Sequence, residues 1–164
     1  MTVYTTMGSP LGELLLVGEP AGAGAVLTAV SMAGGRGVAV RPDWVRAPGA
    51  FAEVVAQLRA YFGGELTRFD IEYTGAGSDF QQRVWDALDD IPYGETVTYG
   101  RIAARIGAPR AAVRAVGAAI GANPLLIVRP CHRVIGANGA LTGYAGGVER
   151  KRQLLELEHA PIAV

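Results

Sequence analysis

One cysteine, one lysine and two histidines are found among 164 residues. A single thiol cannot close an intramolecular disulfide, and one cysteine with two histidines is too small a ligand set for an ordinary structural zinc site. Neither a metal nor an organic cofactor is expected. The longest uncharged stretch, between Glu19 and Arg36, is mostly Gly, Ala and Val, and is too short and too glycine-rich to span a bilayer. The start, MTVYTTMGSPLGELLL, lacks the basic leader and continuous apolar block of a secretion signal. A reducing cytoplasm is therefore the expected compartment, and no membrane partner is expected. Only 18% of residues are charged and 50% are apolar, which supplies a core and excludes disorder. The length fits one compact domain or two small ones sharing a core.

Acidic residues are missing altogether from Thr96 to Val148, while Arg101, Arg105, Arg110, Arg114, Arg129 and Arg133 all fall inside that window. A neutral chain thus carries one strongly cationic segment, the footprint that phosphate binding requires. The plainer alternative is an accident of arginine preference.

What is present falls into two halves, residues 1–76 and 77–164. Val3 to Met7, Leu14 to Val17 and Val26 to Met32 are short β-branched or alternating runs separated by Ser9-Pro10-Leu11-Gly12 and glycine-rich turns. They predict antiparallel strands. Phe51, Val54, Val55, Leu58 and Phe62 recur at helical spacing before Gly63-Gly64, and Leu66 to Tyr73 reads as a further strand. In the second half, Ser78-Asp79-Phe80-Gln81 has the form of a capping box ahead of Val84, Leu88 and Ile91. Tyr99, Ile102, Ala103 and Ile106 mark a second helix stopped by Gly107 and Pro109, and a third runs from about Ala111 to Gly121. Two short helices across a tight glycine turn have the outline of a helix-turn-helix. On the third helix Val113, Val116 and Ile120 form the expected buried stripe. The opposite face offers one long cation, Arg114, among Ala111, Ala118 and Gly121, which suits phosphate contact or insertion of one side chain better than base readout.

Chemistry concentrates in Pro130-Cys131-His132-Arg133-Val134. A lone cysteine is most often a small buried hydrophobe. Here His132 follows directly, arginines flank it, and Pro130 suits the start of a turn, a setting that lowers a thiol pKa. On a strand, adjacent side chains point to opposite faces, so Cys131 and His132 can cooperate only across a bend or through a water. An imidazole base also needs an orienting group. In the last helix, Val148 to Glu158, Leu154 and Leu155 face inward together with Glu158, whereas Glu156 turns outward; a frayed, solvated end is the alternative for Glu158.

With Arg114-Ala115-Val116-Gly117, Asn123-Pro124, Gly143-Tyr144-Ala145-Gly146-Gly147, Phe80-Gln81-Gln82-Arg83-Val84-Trp85 and Ile91-Pro92-Tyr93-Gly94-Glu95-Thr96 around it, this motif resembles the O6-alkylguanine-DNA alkyltransferase family. The resemblance implies an α+β protein: an N-terminal ribonuclease H-like α/β domain followed by a C-terminal winged helix-turn-helix domain holding the active site. It implies direct-reversal repair of double-stranded DNA. The protein would bind the minor groove, flip the damaged base out of the stack, and move an alkyl group irreversibly from O6-alkylguanine, and from O4-alkylthymine, to Cys131. His132, polarised by Glu158, would take the thiol proton through a water. Tyr99 would hydrogen-bond the guanine and Asn123 would be the hinge before the cysteine loop. Arg114 would fill the gap in the stack, beside DNA-contacting Ala111, Ala115 and Gly117, and Val134, Tyr144 and Ala145 would line the pocket. A monomer is expected, with cooperative binding along DNA left open.

Three features depart from the family pattern: Arg129 replaces an apolar residue, Gly107 to Arg114 is one residue longer, and Ile120-Gly121-Ala122 lacks polar side chains. Zinc ligands known from some relatives are absent. A non-catalytic winged-helix binder is the alternative reading, and a turnover-competent Cys-His hydrolase would need an oxyanion hole that the sequence does not reveal.

Overall fold

A computed structural model describes residues 1–161. Strands β1 (Val3–Met7), β2 (Leu14–Ala21) and β3 (Gly24–Met32) form an antiparallel meander, and β4 (Val45–Arg46) joins β1 in parallel, giving the order β3-β2-β1-β4. In β1 burial alternates as the period of a strand requires, with Val3, Thr5 and Met7 inward. Helix α1 (Ala52–Phe62) buries Val54, Leu58 and Tyr61 in the same core as Leu14, Leu16 and Leu27. It ends where Gly64 adopts φ +77°, a conformation that a side chain would oppose.

The strand expected over Leu66 to Tyr73 does not form. Only Tyr73 bridges to Leu27, and the Gln57 side chain satisfies the Asp70 backbone instead, accepting from its N–H at 2.8 Å and donating to its carbonyl at 2.9 Å. A side-chain amide thus takes the place of a strand partner at that one residue. The two-residue β4, which the sequence reading did not anticipate, is set beside β1 with Trp44 packed near Tyr4.

Helix α2 (Asp79–Asp89) starts at the capping box: the Gln81 N–H donates to Ser78 Oγ at 3.2 Å and the Ser78 N–H to Gln81 Oε1 at 3.0 Å. Helices α3 (Tyr99–Arg105) and α4 (Val113–Gly121) follow, with Gly107 at φ +70° in their connection. The third helix begins later than Ala111 because a 3₁₀ turn, Arg110–Ala112, intervenes. Of its expected stripe, Val116 and Ile120 are buried and Val113 is half-buried. Trp85 of α2 donates its indole N–H to the Ala119 carbonyl at 2.9 Å, fixing α4 against α2. Strands β5 (Val97–Thr98) and β6 (Val134–Ile135) pair in parallel beside the helices, and α5 (Val148–Leu157) ends the described chain.

One hydrophobic cluster runs through both halves. The segment after α4 bonds to the edge of β3, Val30 N–H to the Pro124 carbonyl at 2.9 Å and Leu126 N–H to the Val30 carbonyl at 3.2 Å. The N-terminal sheet therefore anchors the loop that leads to Cys131. Among the described residues no helix is long and apolar enough to cross a membrane.

Candidate active site

Asn123 sets the course of the chain out of α4. Its side chain accepts from the Leu125 N–H at 3.1 Å and donates to the Leu125 and Arg129 carbonyls at 3.2 and 3.4 Å, closing two overlapping turns. Within them Ile127 has φ +71°, a rare conformation for a β-branched residue that costs on the order of 1–3 kcal/mol and persists only where its surroundings enforce it. The β3 bonds on one side and Pro130 on the other do so. Pro130 then opens a 3₁₀ turn, Cys131–Arg133, so Cys131 and His132 lie on a bend and not on a strand. The geometric objection to their cooperation is removed by that turn.

Cys131, 5% exposed, sits at the floor of an open cavity of about 680 Å³. Tyr99 of α3, Gly117 and Ala118 of α4, and Thr142, Gly143, Tyr144 and Ala145 of the loop before α5 line it. Tyr99 Oη lies 2.5 Å from Thr142 Oγ1. Val134, expected in the lining, is fully buried and does not reach it, because β6 pairing with Val97 turns the side chain into the core. Arg36, on the turn after β3, also lines the cavity, held there by its N–H bond to the Ala145 carbonyl at 2.7 Å. No sequence pattern flagged it, since it comes from the other half of the chain.

Behind the thiol lies a wholly buried polar cluster. Glu158, 1% exposed, is held at the C-terminal end of α5 and is no frayed end. It accepts from His132 Nε2 at 2.8 Å, from Arg133 Nε and Nη2 at 2.8 and 2.9 Å, and from the Tyr61 hydroxyl at 2.5 Å. Tyr61 comes from α1 and was not expected here. Burial opposes ionisation of Glu158, but the bonds from His132 and Arg133 prevail and hold its carboxyl far below the usual range. Burial pushes the His132 pKa down against the opposing pull of Glu158 and so favours the neutral imidazole. A neutral ring that donates Nε2–H to a carboxylate presents Nδ1 as its basic nitrogen. Nδ1 is buried and has no hydrogen-bond partner among the described residues.

The thiol departs from the sequence expectation. Burial raises the Cys131 pKa, outweighing the neighbouring Asn123, Lys151 and Arg129 that favour its ionised form. The resting group is a thiol, and ionising it requires removal of its proton. Lys151 is another group that sequence reasoning missed. It is buried on α5, donates to the Thr142 carbonyl and hydroxyl at 3.4 and 3.5 Å, and has its pKa lowered by burial to about 8.

The cationic segment divides in the structure. Arg101, Arg105, Arg110 and Arg114 are exposed on and between α3 and α4, with no ion pair among the described residues. Arg129 and Arg133 are buried at 3% and 7% exposure and contribute nothing to that face. Ala111 and Ala115 are exposed beside Arg114, so the cations border a face of small side chains.

Fold and site together define a two-part α+β protein in which a thiol on the turn that follows a helix-turn-helix stands, beside a buried His-Glu pair, in a cavity lined by those helices and close to their cationic face. Two family profiles match the chain, "6-O-methylguanine DNA methyltransferase, ribonuclease-like domain" over residues 2–73 and "6-O-methylguanine DNA methyltransferase, DNA binding domain" over residues 79–160. The chain is 58% identical over 158 residues to a methylated-DNA–protein-cysteine methyltransferase of Mycobacterium tuberculosis, covering 96% of this chain and 93% of the relative. It is 50% identical over 156 residues to one from Methanosarcina acetivorans, covering 94% and 97%. Its fold is similar to the crystal structure of Mycobacterium tuberculosis OGT in complex with DNA, with a TM-score of 0.86, 57% identity, and 97% and 95% of the two chains covered. The chain belongs to the methylated-DNA–protein-cysteine methyltransferase family.

Proposed function

We propose that this protein repairs alkylated DNA directly, by moving the alkyl group of O6-alkylguanine, and of O4-alkylthymine, onto its own Cys131. DNA is the partner, and the damaged base sits in a duplex where its substituent is inaccessible. Reaction therefore requires extrusion of the base, at a cost of a few kcal/mol that a damaged pair reduces. Helix α4 enters the minor groove with Arg101, Arg105 and Arg110 near phosphates, Ala111, Ala115 and Gly117 allowing close approach, and Arg114 occupying the vacated stack. The flipped base enters the cavity above Cys131, against Tyr144 and Ala145, while Asn123 fixes the hinge of the cysteine loop.

His132 Nδ1 accepts the Cys131 proton through one water, and Glu158 stabilises the imidazolium that forms. The Sγ–C bond then forms as the C–O6 bond breaks, its electron pair passing to the purine. Tyr99 donates a hydrogen bond to the departing guanine, which finally regains the proton lost by the thiol. A thioether has no route back, so each molecule reacts once. The protein acts as a monomer in a reducing compartment, where the thiol stays free.

The observation that carries this reading is the buried His132 whose Nε2 is bound to Glu158 and whose Nδ1 is unpartnered, one residue from a thiol in a cavity. Incubation with duplex DNA bearing labelled O6-methylguanine tests it. One equivalent of label is expected on Cys131 and none on the Cys131→Ala variant. Binding without transfer would refute it, and continuous turnover would point to a hydrolase instead.

A further inference from the structure

Arg129 stands directly before Pro130-Cys131, where the family pattern places an apolar side chain. Its guanidinium is packed between two aromatic rings, 5.2 Å from the Tyr73 centroid and 5.0 Å from the Trp85 centroid. Nη1 donates to Asn123 Oδ1 at 3.4 Å, and Nε lies 3.6 Å from Asp89 Oδ1. The other Asp89 oxygen accepts the Tyr73 hydroxyl at 2.9 Å. Nε itself forms no hydrogen bond among the described residues. A buried, imperfectly satisfied cation is costly, and an apolar side chain would occupy the same space without that cost. The cation therefore marks a demand other than packing.

That demand is visible at Asn123. Its carboxamide oxygen takes the Arg129 guanidinium while its Nδ2 donates to the Arg129 carbonyl at 3.4 Å, so residue 129 grips both ends of one amide. The Arg129 carbonyl also accepts the Cys131 N–H at 2.8 Å. We propose that Arg129 is a positioning residue for the alkyl transfer, anchored between Tyr73 and Trp85 and locking the Asn123 carboxamide against the Cys131 turn. Through Trp85, which is bonded to the Ala119 carbonyl of α4, the same clamp ties the helix to the reacting sulfur. The proposal rests on the alkyl-transfer reading above.

The groups that act on the thiol are Asn123 and Arg129 on its own loop, Lys151 from α5 and the Tyr144 phenol from the loop before it, with His132 adjacent in sequence. Asn123, Lys151 and Arg129 each favour the ionised form. Loss of Arg129 removes one of them directly and loosens a second.

The test compares wild type with Arg129→Met and Arg129→Lys. Three quantities are measured: affinity for methylated duplex, first-order transfer at saturating duplex from pH 6 to 9, and DNA-free alkylation of Cys131 by iodoacetamide over the same range. For Arg129→Met, DNA affinity is expected to hold while transfer slows roughly tenfold to a hundredfold, the scale of a misplaced reacting group, and the alkylation midpoint moves to higher pH. Arg129→Lys keeps a cation between the rings without the planar fork, and its rate and midpoint are expected to lie between the two. Unchanged rate and midpoint in Arg129→Met, or a loss confined to DNA affinity, overturns the proposal. If Arg129→Met does not fold, Arg129→Lys decides: slower transfer with an alkylation midpoint above that of wild type supports the assignment and wild-type values overturn it. Absence of transfer in the wild-type protein would refute the alkyl-transfer reading itself, a distinct outcome.

Discussion

Replacing Glu158 by Gln keeps the shape of the side chain and removes the charge at the centre of the buried cluster. The carboxylate accepts four hydrogen bonds, two of them from Arg133, which is itself 7% exposed. A carboxamide cannot accept both Arg133 bonds, and the guanidinium is left buried without its counter-charge. Breaking a buried pair in this way costs about 3–5 kcal/mol. At roughly 2–4 °C per kcal/mol for a protein of this size, Tm should fall by about 6–20 °C. The remaining stability keeps the variant folded at low temperature, where single-turnover methyl transfer can be followed beside DNA binding by fluorescence anisotropy. General-base assistance contributes about a hundredfold or more, so transfer at saturating DNA should slow by that order while affinity is unchanged. The pH dependence adds a signed expectation. Because the Glu158 carboxyl is held below its ordinary value of 4.5, its stabilisation is fully present above that pH and is lost as pH falls through the folded value. Wild type should lose this component in acid, and Glu158→Gln should not show it. Transfer within twofold of wild type by the folded variant would refute the role given to Glu158, and a rate loss matched by lost affinity would locate the effect in the fold.

Arg114→Ala should slow repair of methylated duplex at least tenfold while leaving reaction with free O6-alkylguanine base unchanged, since only the duplex has a gap to fill; equal losses on both substrates would remove that role. Lys151, whose folded pKa of about 8 lies below its ordinary 10.5, burdens the folded state below pH 8 and is relieved as pH rises. Urea unfolding should show wild type gaining about 2 kcal/mol between pH 7.5 and 9.5, and Lys151→Met should show no such slope.

The strands β1 to β3, the helix stop at Gly63-Gly64 and the capping box of α2 were legible because each rests on residues a few positions apart, where periodicity and backbone chemistry act locally. The grouping of Cys131, His132 and Glu158 was legible as well, from a short motif and from one carboxylate on the inward face of a helix. What the sequence could not hold was distance across the fold. Whether Arg129 and Arg133 met phosphate or were buried depended on which side of the Cys131 turn faced the core. Tyr61 reaches Glu158 and Arg36 reaches the cavity only because the N-terminal half packs on the second. The Leu66 to Tyr73 segment pairs with β3 only at Tyr73, and the Asp70 backbone bonds to the Gln57 side chain of α1, a partner that no local pattern shows. Thiol ionisation, too, was decided by the tertiary structure: Arg129 can be read beside the cysteine in the chain, but Lys151 reaches it from α5, and the desolvation that outweighs both exists only once the core has closed around the sulfur.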